Sequence, residues 1–369
     1  MEIFMKDKKK NIVICFTFAI LLAAGFLSCV FAPKTDYLYS ERRRPSPFPA
    51  VSKDTLFSGR FMSGFERYAA DHFPCRETFR MIKALSLVKM FGRQDKNGIY
   101  AADGYLAAME YPLDEASFAH ALARFGFVCD AYLTENNRVF LSVIPDKNCF
   151  LAPKSGRLSM DYSEMERQTE QKADFAEYIK ISDLLELDDY YHTDTHWRQE
   201  KITDVANRLA KAMGADISQD YQAHTLNQGF YGVYYGQAAL PFAPDTLCYL
   251  TEEDMEGCRA YDWQNGRQIP VYDLERAAGK DPYELFLSGA LSIITIENPK
   301  APENKKLVLF RDSFGSAIAP LLISGYSKIT LVDIRYIHPD MLGKFIDFTD
   351  CDALFLYSTL VLNHSDTLK

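Results

Sequence analysis

The C-terminal part of the chain alternates short apolar runs with a segment of helical spacing, and this order constrains the fold more than any other feature. Apolar runs occupy residues 306–310, 328–333 and 353–357, and residues 313–324 have helical spacing. Strand, helix and strand joined by short connections are typical of a parallel βαβ unit. The pattern predicts an α/β fold whose parallel sheet is covered by helices on both faces.

The segments upstream predict elements that suit the same architecture. In chain order these are helices over 59–89 with a break at 72–74, a hairpin over 97–106, a helix over 117–132, a strand over 138–144, helices over 162–178 and 199–213, and a strand over 292–297. The region 227–270 is rich in Tyr and Gly and favours an irregular or β insertion.

An apolar run near the N-terminus has the length and composition of a membrane span. Residues 12–32 contain no charged side chain, which predicts one helix that crosses a bilayer. Four lysines between residues 6 and 10 favour a cytoplasmic tail at 1–11, although Lys34 and the arginines at 42–44 weaken the charge asymmetry. We therefore expect a single-pass protein of the cell membrane with its main domain extracytoplasmic. A cleaved signal peptide is the main alternative, and Leu27-Ser28-Cys29 faintly resembles a lipoprotein cleavage site.

Residues 33–51 carry four prolines and a basic run, which predicts an extended linker before a folded domain at 52–369. A net charge of −9 excludes a binder of duplex nucleic acid, because phosphate contacts need a clustered basic face. The cysteines form no CxxC pair and have no histidine at zinc spacing, so neither a metal nor a cofactor is expected. Disulfides are permitted in an exported domain, but their pairing does not follow from the sequence.

Ser313 follows the predicted strand 306–310 and begins the predicted helix. At the carboxyl end of a parallel strand, a side chain projects into the crevice where α/β proteins bind ligands. The N–H groups of the next helical turn can stabilise an oxyanion. Ser313 is therefore a candidate nucleophile, with a helix N-cap as the alternative role.

The string Thr193-Asp194-Thr195-His196-Trp197 places a carboxylate two residues before an imidazole. Asp194 at this spacing can orient the ring of His196 while the other ring nitrogen points away. Taken alone, the string also fits a structural histidine or a metal ligand with its supporting carboxylate. Together with Ser313, it predicts a Ser-His-Asp arrangement.

Several of these segments resemble the bacterial DHHW protein family, and more distantly the AlgX and AlgJ alginate acetyltransferases. The resemblance covers most of residues 59–363 and rests mainly on YYHTDTHW, FYGVYYGQA, LVLFRDSFGSAIAPLL and ITLVDIRYIHPD. It implies a three-layer SGNH-hydrolase-like fold in which Asp194, His196 and Ser313 are catalytic. Their chain order is inverted relative to standard SGNH hydrolases, which implies a permuted version of that fold.

The chain departs from the family pattern at three places. Thr195 replaces the second residue of the Asp-His-His-Trp string, which spares both presumed catalytic residues. Ser288-Gly289-Ala290 stands where a GGN-like triplet would supply an asparagine donor, and Arg311 replaces a glycine before the acid. Losing one oxyanion donor typically costs about 2.7–4 kcal/mol of transition-state stabilisation, so a slow or inactive protein is the alternative.

Other residues are candidates for substrate binding. Arg335 and Tyr336 follow a predicted strand end, where they can bind an anionic sugar or serve only in packing and ion pairing. Tyr231 belongs to an aromatic group with Phe230, Tyr234 and Tyr235, which is either a sugar-stacking platform or part of the core.

The expected function is an extracytoplasmic O-acyltransferase or acylesterase that acts on a cell-envelope polysaccharide, most simply with acetyl. The expected partners are that cell-surface polysaccharide, the membrane and, by analogy with the alginate systems, a membrane protein that donates acetyl groups. The alternative is an inactive SGNH-like protein that binds polysaccharide or a partner. A lipase is disfavoured because the sequence has no GxSxG nucleophile elbow.

Overall fold

A computed structural model describes residues 2–302 and 305–369, with the side chains of residues 2–9 left out. The described residues form two compact units. The first runs to Gly92 and includes Ala239–Pro241, and the second comprises Arg93–Ala238 and Phe242–Lys369.

The first unit is helical. Its helices are α1 (Glu2–Phe31), α2 (Lys53–Phe57), α3 (Arg60–Asp71) and α4 (Arg76–Leu85), and α4 continues as a π-helical turn over Ser86–Met90. The break between α3 and α4 falls at the predicted residues 72–74. Lys10–Phe31 is long and apolar enough to cross a membrane, a test that a signal sequence near the N-terminus also passes.

The predicted linker 33–51 is packed against the helices that follow it. The Arg43 guanidinium forms two hydrogen bonds with the carboxylate of Asp71, at 2.6 and 2.8 Å. These bonds hold the pKa of Asp71 well below its usual range. The ring of Phe48 contacts Phe61 and Tyr68 of α3. An ion pair and an aromatic contact thus hold the segment 33–51 against the helices, although its prolines alone predict an extended linker.

The second unit contains the predicted α/β domain. Its helices are α5 (Glu115–Tyr132), α6 (Asn148–Ser155), α7 (Tyr162–Lys172), α8 (Thr203–Ala212), α9 (Val233–Ala238), α10 (Leu274–Ala277), α11 (Gly315–Ile318) and α12 (Thr359–Asn363). Its strands are β1 (Ile99–Ala102), β2 (Tyr105–Ala108), β3 (Val139–Ile144), β4 (Glu177–Tyr178), β5 (Gln222–Phe230), β6 (Asp245–Thr251), β7 (Arg259–Asp262), β8 (Arg267–Ile269), β9 (Ile293–Glu297), β10 (Lys306–Arg311), β11 (Lys328–Val332) and β12 (Asp352–Ser358).

The main sheet has the order β4-β3-β12-β10-β11-β9-β7-β8. Strands β4, β3, β12, β10 and β11 pair in parallel. The parallel sheet is as predicted, whereas β4 lies inside the helix predicted over 162–178. Strands β9, β7 and β8 extend the sheet with antiparallel pairing, which the sequence does not predict. In the centre, Leu309 lies opposite Leu331 on one side and Leu354 on the other.

Helices cover both faces of this sheet, which gives three layers. Leu307 and Leu309 of β10 point to the face covered by α8, where Val205 and Leu209 share one core with them. Val308 and Phe310 point to the opposite face, where Phe125 of α5 lies in a second core. Because both faces are buried, the central strands are almost continuously apolar.

Some predicted helices are shorter than their periodicity suggests. The helix predicted over 313–324 is α11 followed by a 3₁₀ helix over Ala319–Gly325. Pro320 explains the change, because proline has no N–H and its ring clashes with the carbonyl four residues earlier in an α-helix. The helix predicted over 199–213 starts with a 3₁₀ turn, Gln199–Lys201, before α8. The helix predicted over 162–178 ends at Lys172.

Candidate active site

The backbone around His196 forms a closed loop beside the serine turn. An antiparallel bridge joins Tyr190 to Trp197, and the N–H of Tyr191 donates to the carbonyl of His196 at 3.1 Å. Ser313 lies two residues after the end of β10, at the carboxyl edge of the parallel strands. Two separate chain segments therefore converge at one point of the sheet.

The structure brings the side chains of the three predicted catalytic residues into one hydrogen-bonded chain. The Oγ of Ser313 is 2.7 Å from Nε2 of His196. The Nδ1 of the same ring is 2.5 Å from Oδ1 of Asp194. Asp194 is fully buried and His196 is 7% exposed. This is the geometry that a serine nucleophile, a general base and an orienting carboxylate require.

Two aromatic rings fix the plane of the imidazole. The ring of Tyr283 stacks on His196 with centroids 3.9 Å apart and planes 9° apart, and Phe314 contacts it at 5.0 Å. Burial raises the pKa of Tyr283 well above its ordinary value, so this phenol stays neutral. Its hydroxyl has no hydrogen-bond partner among residues 2–302 and 305–369. Sequence reasoning misses Tyr283, because nothing local links it to a loop almost ninety residues earlier.

The carboxylate of Asp194 is held by contacts from distant parts of the chain. The Oδ2 of Asp194 accepts a hydrogen bond from the N–H of Val233 at 2.8 Å. The preceding Gly232 lies so close that a Cβ there would be 2.2 Å from the Cα of Asp194. The carboxylate of Asp245 accepts from the N–H and the hydroxyl of Thr193, beside the acid. The start of α9 and the start of β6 thus position this loop.

Lys147 is a buried cation behind the same loop, three residues after the end of β3. Its Nζ donates to the carbonyl oxygens of Tyr191 at 2.8 Å and His192 at 3.4 Å. Burial lowers the pKa of Lys147 to about 7, against the attraction of nearby carboxylates that include Asp194. The rule that singled out Ser313, a polar residue just past a parallel strand, also applies to Lys147 and could have found it.

The serine turn is tied to its neighbours on both sides. The carboxylate of Asp312 accepts from the N–H of Phe314 at 3.0 Å and from the N–H of Ser358 at 2.8 Å. The indole N–H of Trp197 donates to the carbonyl of Phe314 at 3.2 Å. The Gln199 side chain donates to the carbonyl of Ala317 at 2.6 Å. These bonds fix the separation between Ser313 and His196.

The candidate oxyanion donors are backbone groups of this turn. In the part of the chain that the structure describes, the N–H of Ser313 has no acceptor, whereas the N–H of Phe314 is engaged by Asp312. Ser288 occupies the segment where a GGN-like triplet was expected, and its hydroxyl donates to Asp273 at 2.7 Å. Leu287 and Ser288 both have positive φ, a conformation that costs non-glycine residues about 1–2 kcal/mol each.

Arg311, which replaces the expected glycine, lies beneath the serine turn. A Cβ on Gly315 would be 2.5 Å from the Cβ of Arg311, so glycine is required above it. The guanidinium of Arg311 is fully buried, and this burial lowers the pKa of Arg311. Nη1 of Arg311 is 3.7 Å from Oδ2 of Asp333. Nε and Nη2 have no partner among the described residues.

The substrate-binding role of Arg335, Tyr336 and Tyr231 stays a prediction. Arg335 forms two hydrogen bonds with Asp333, at 2.7 and 2.9 Å, so its cation is already paired. Tyr336 is half exposed. Tyr231 is 43% exposed, contacts the ring of Tyr235 and directly precedes Gly232. Among the described residues, no group of three or more His, Cys, Asp or Glu could hold a metal ion.

Solved structures of similar fold were found, whereas no protein-family model and no curated protein sequence matches the chain. A DHHW family protein from Eubacterium siraeum is 19% identical, covers 74% of this chain and 95% of its own, and has a TM-score of 0.60. Bacillus cereus PatB1 with a sulfonyl adduct is 19% identical, covers 73% and 97%, and has a TM-score of 0.56.

The O-acetyltransferase domain of Pseudomonas putida AlgJ matches at 15% identity over 72% of this chain and 92% of its own. Its TM-score of 0.44 is too low to support a conclusion about the present chain. At 19% identity, the two nearer structures show the fold and no more. The chain therefore has the fold of the DHHW family protein and PatB1, an SGNH-hydrolase-like α/β fold, as its motifs predict.

Proposed function

We propose that this protein is a membrane-anchored serine O-acyltransferase or acylesterase that adds or removes acyl groups, most simply acetyl, on a cell-envelope polysaccharide. The observation that carries the proposal is the pair of hydrogen bonds from Ser313 to His196, 2.7 Å, and from His196 to Asp194, 2.5 Å. A serine that only caps a helix does not require a hydrogen bond to an imidazole that a buried carboxylate orients.

The proposed reaction proceeds through an acyl-enzyme. Ser313 Oγ attacks the ester carbonyl while Nε2 of His196 takes its proton, and the buried carboxylate of Asp194 stabilises the imidazolium. The oxyanion of the tetrahedral intermediate lies at the unoccupied N–H of Ser313. His196 then protonates the departing alcohol. A sugar hydroxyl or water attacks the acyl-enzyme, loses its proton to His196 and releases Ser313.

The choice between transfer and hydrolysis depends on which acceptor reaches the acyl-enzyme. Tyr231 and Tyr336 are exposed enough to contact a sugar ring, and Arg335 lies beside Tyr336. We propose these three residues as acceptor contacts. The segment Lys10–Phe31 would anchor the protein in the membrane with the second unit outside, close to a membrane protein that donates acetyl groups.

An inactive polysaccharide-binding protein is the second candidate. It is favoured by the absence of an asparagine in Ser288-Gly289-Ala290 and by Arg311 in place of glycine. The two candidates differ in whether Ser313 is nucleophilic, and this property can be measured directly.

The decisive experiment is covalent labelling of Ser313. PatB1 carries a sulfonyl adduct, so phenylmethanesulfonyl fluoride is a suitable probe for the solubilised full chain. We expect the intact mass to rise by one phenylmethanesulfonyl group in wild type and in Ser163→Ala, which removes an exposed serine of α7. Ser313→Ala should stay unlabelled, and His196→Ala should react much more slowly because the serine loses its base.

Turnover of 4-nitrophenyl acetate is the second measurement. Ser313→Ala and His196→Ala should each lower kcat by about 10³-fold or more, because members of a triad act as a unit. A wild-type protein that takes up no label, with the same turnover as both variants, would rule out the enzyme and leave the binding protein.

A further inference from the structure

Helix α4, its π-helical extension and the residues next to them expose large apolar side chains. We call Phe73, Phe79, Ile82, Met90 and Phe91 the apolar stripe. Phe79 and Ile82 are three residues apart in α4 and therefore lie on the same face. Met90 is 76% and Phe79 55% exposed, and the rings of Phe73 and Phe79 are 5.5 Å apart. Monomeric soluble proteins rarely leave such a contiguous patch uncovered.

The beginning of α4 lies against the chain that leaves α1. Residues 32–40 and 71–78 together line a cavity of about 540 Å³. Arg76 donates to Glu41 at 2.7 Å, and Arg80 donates to Ser40 at 3.0 Å. Only eight residues separate Phe31 from Ser40, and such a segment spans at most roughly 30 Å. Wherever α1 leaves a bilayer, the apolar stripe is therefore close to the same surface.

The charge of this region is opposite to that of the rest of the protein. Residues 33–92 carry eleven Lys and Arg against six Asp and Glu, in a chain whose net charge is −9. Lys83 and Lys89 are exposed beside the apolar stripe. An apolar face flanked by lysines is typical of helices that lie in the interface of an anionic membrane. A second copy is a poorer partner for this face, because pairing two stripes would bring these lysines together.

We propose that α4 lies flat on the membrane surface, with the apolar stripe in the headgroup region and its lysines at anionic lipid phosphates. This rests on the proposed anchoring by α1 and adds a second, independent contact with the bilayer. The first unit is then held against the surface along α4 as well as at the point where α1 emerges.

Quenching of tryptophan fluorescence by brominated lipid tests this placement. The full chain is reconstituted into vesicles of phosphatidylcholine and phosphatidylglycerol whose acyl chains carry bromine near the headgroup. Phe79→Trp places a reporter in the apolar stripe, and Glu77→Trp places a matched reporter at an exposed position about 160° around the same helix. The signal of Trp197 and Trp263 is subtracted by using the wild-type chain.

We expect bromine to quench the Phe79→Trp reporter at least about twofold more strongly than the Glu77→Trp reporter, since interfacial helices bury their apolar face about 5–10 Å deep. Replacing phosphatidylglycerol by phosphatidylcholine should weaken the quenching. Equal or absent quenching in chains that float with the vesicles would overturn the surface contact while leaving the α1 anchor intact. Chains that fail to float with the vesicles would overturn both the surface contact of α4 and the α1 anchor. Esterase activity is measured in a separate experiment, so its loss is distinguishable from the loss of membrane binding.

Discussion

Residues distant in sequence hold Asp194 and His196 in the positions that the proposed mechanism requires. Tyr283 stacks on the imidazole, Val233 donates to the carboxylate, and Lys147 donates to the backbone of the histidine loop. Each contact limits the movement of the Asp194 carboxylate, the His196 ring or the loop that carries them. Misplacing reacting groups by about 1 Å can cost about 10²-fold in rate, so these contacts matter although none of them takes part in the chemistry.

Lys147 leads to a prediction about stability and pH. Its pKa is about 7 in the folded protein, whereas free lysine has a pKa of about 10.4. Between these values the folded protein binds fewer protons at this site than the unfolded chain does, so unfolding takes up a proton. The free energy of unfolding should therefore rise with pH in this window, by about 1 kcal/mol per pH unit.

The difference in unfolding free energy between wild type and Lys147→Met isolates this contribution, because other groups titrate alike in both proteins. We expect the difference to grow in favour of wild type from pH 7 to pH 9 in urea titrations. Lys211→Met, which removes an exposed lysine of α8, is the matched control and should show a constant difference. A constant difference for Lys147→Met as well would mean that this amine titrates as in free lysine.

At the scale of elements, the site depends on how closely α9 approaches the histidine loop. Gly232, just before α9, donates through its N–H to the hydroxyl of Thr193 at 2.9 Å. No side chain fits there without moving the backbone of Asp194. Because residue 232 is a glycine, the start of α9 can approach Asp194 closely enough to hold its carboxylate.

Gly232→Ala should therefore impair activity. The new methyl group would displace Asp194, and we expect kcat for 4-nitrophenyl acetate to fall by about 10²-fold. Gly126→Ala in α5 is the matched control, since its Cβ would meet Phe175 at an ordinary 3.8 Å. That variant should keep full activity and gain about 0.5–1 kcal/mol of stability, because alanine is the better helix residue. Unchanged activity in Gly232→Ala would contradict the support role of α9.

At the scale of the whole molecule, charge is distributed unevenly along the chain. Residues 93–369, which include the candidate active site, carry twenty-six Lys and Arg against forty-two Asp and Glu. A surface with this excess of carboxylates attracts cationic molecules and repels anionic ones over roughly a Debye length. The basic segment 33–92 has the opposite preference.

This field should affect the choice of ester substrate. For a cationic and an anionic aryl acetate with leaving groups of similar acidity, kcat/KM should favour the cationic ester at low ionic strength. The ratio should fall by about two- to tenfold as salt shortens the Debye length from about 30 Å to about 3 Å. A ratio that does not respond to salt would mean that a local cation such as Arg335 outweighs the field of the domain.

The sequence alone determined the α/β class, the helix that can cross a membrane, and the positions of Asp194, His196 and Ser313, because periodicity and short motifs are local properties. It did not predict that β9, β7 and β8 extend the main sheet with antiparallel pairing, because this pairing joins segments far apart in the chain. Pro320 could have warned that the helix after Ser313 is short, since proline acts locally. Tyr283, Gly232 and Asp245 are different: only the tertiary structure places them beside His196 and Asp194. Their contacts span between about forty and ninety residues of sequence, and no local pattern encodes such a distance.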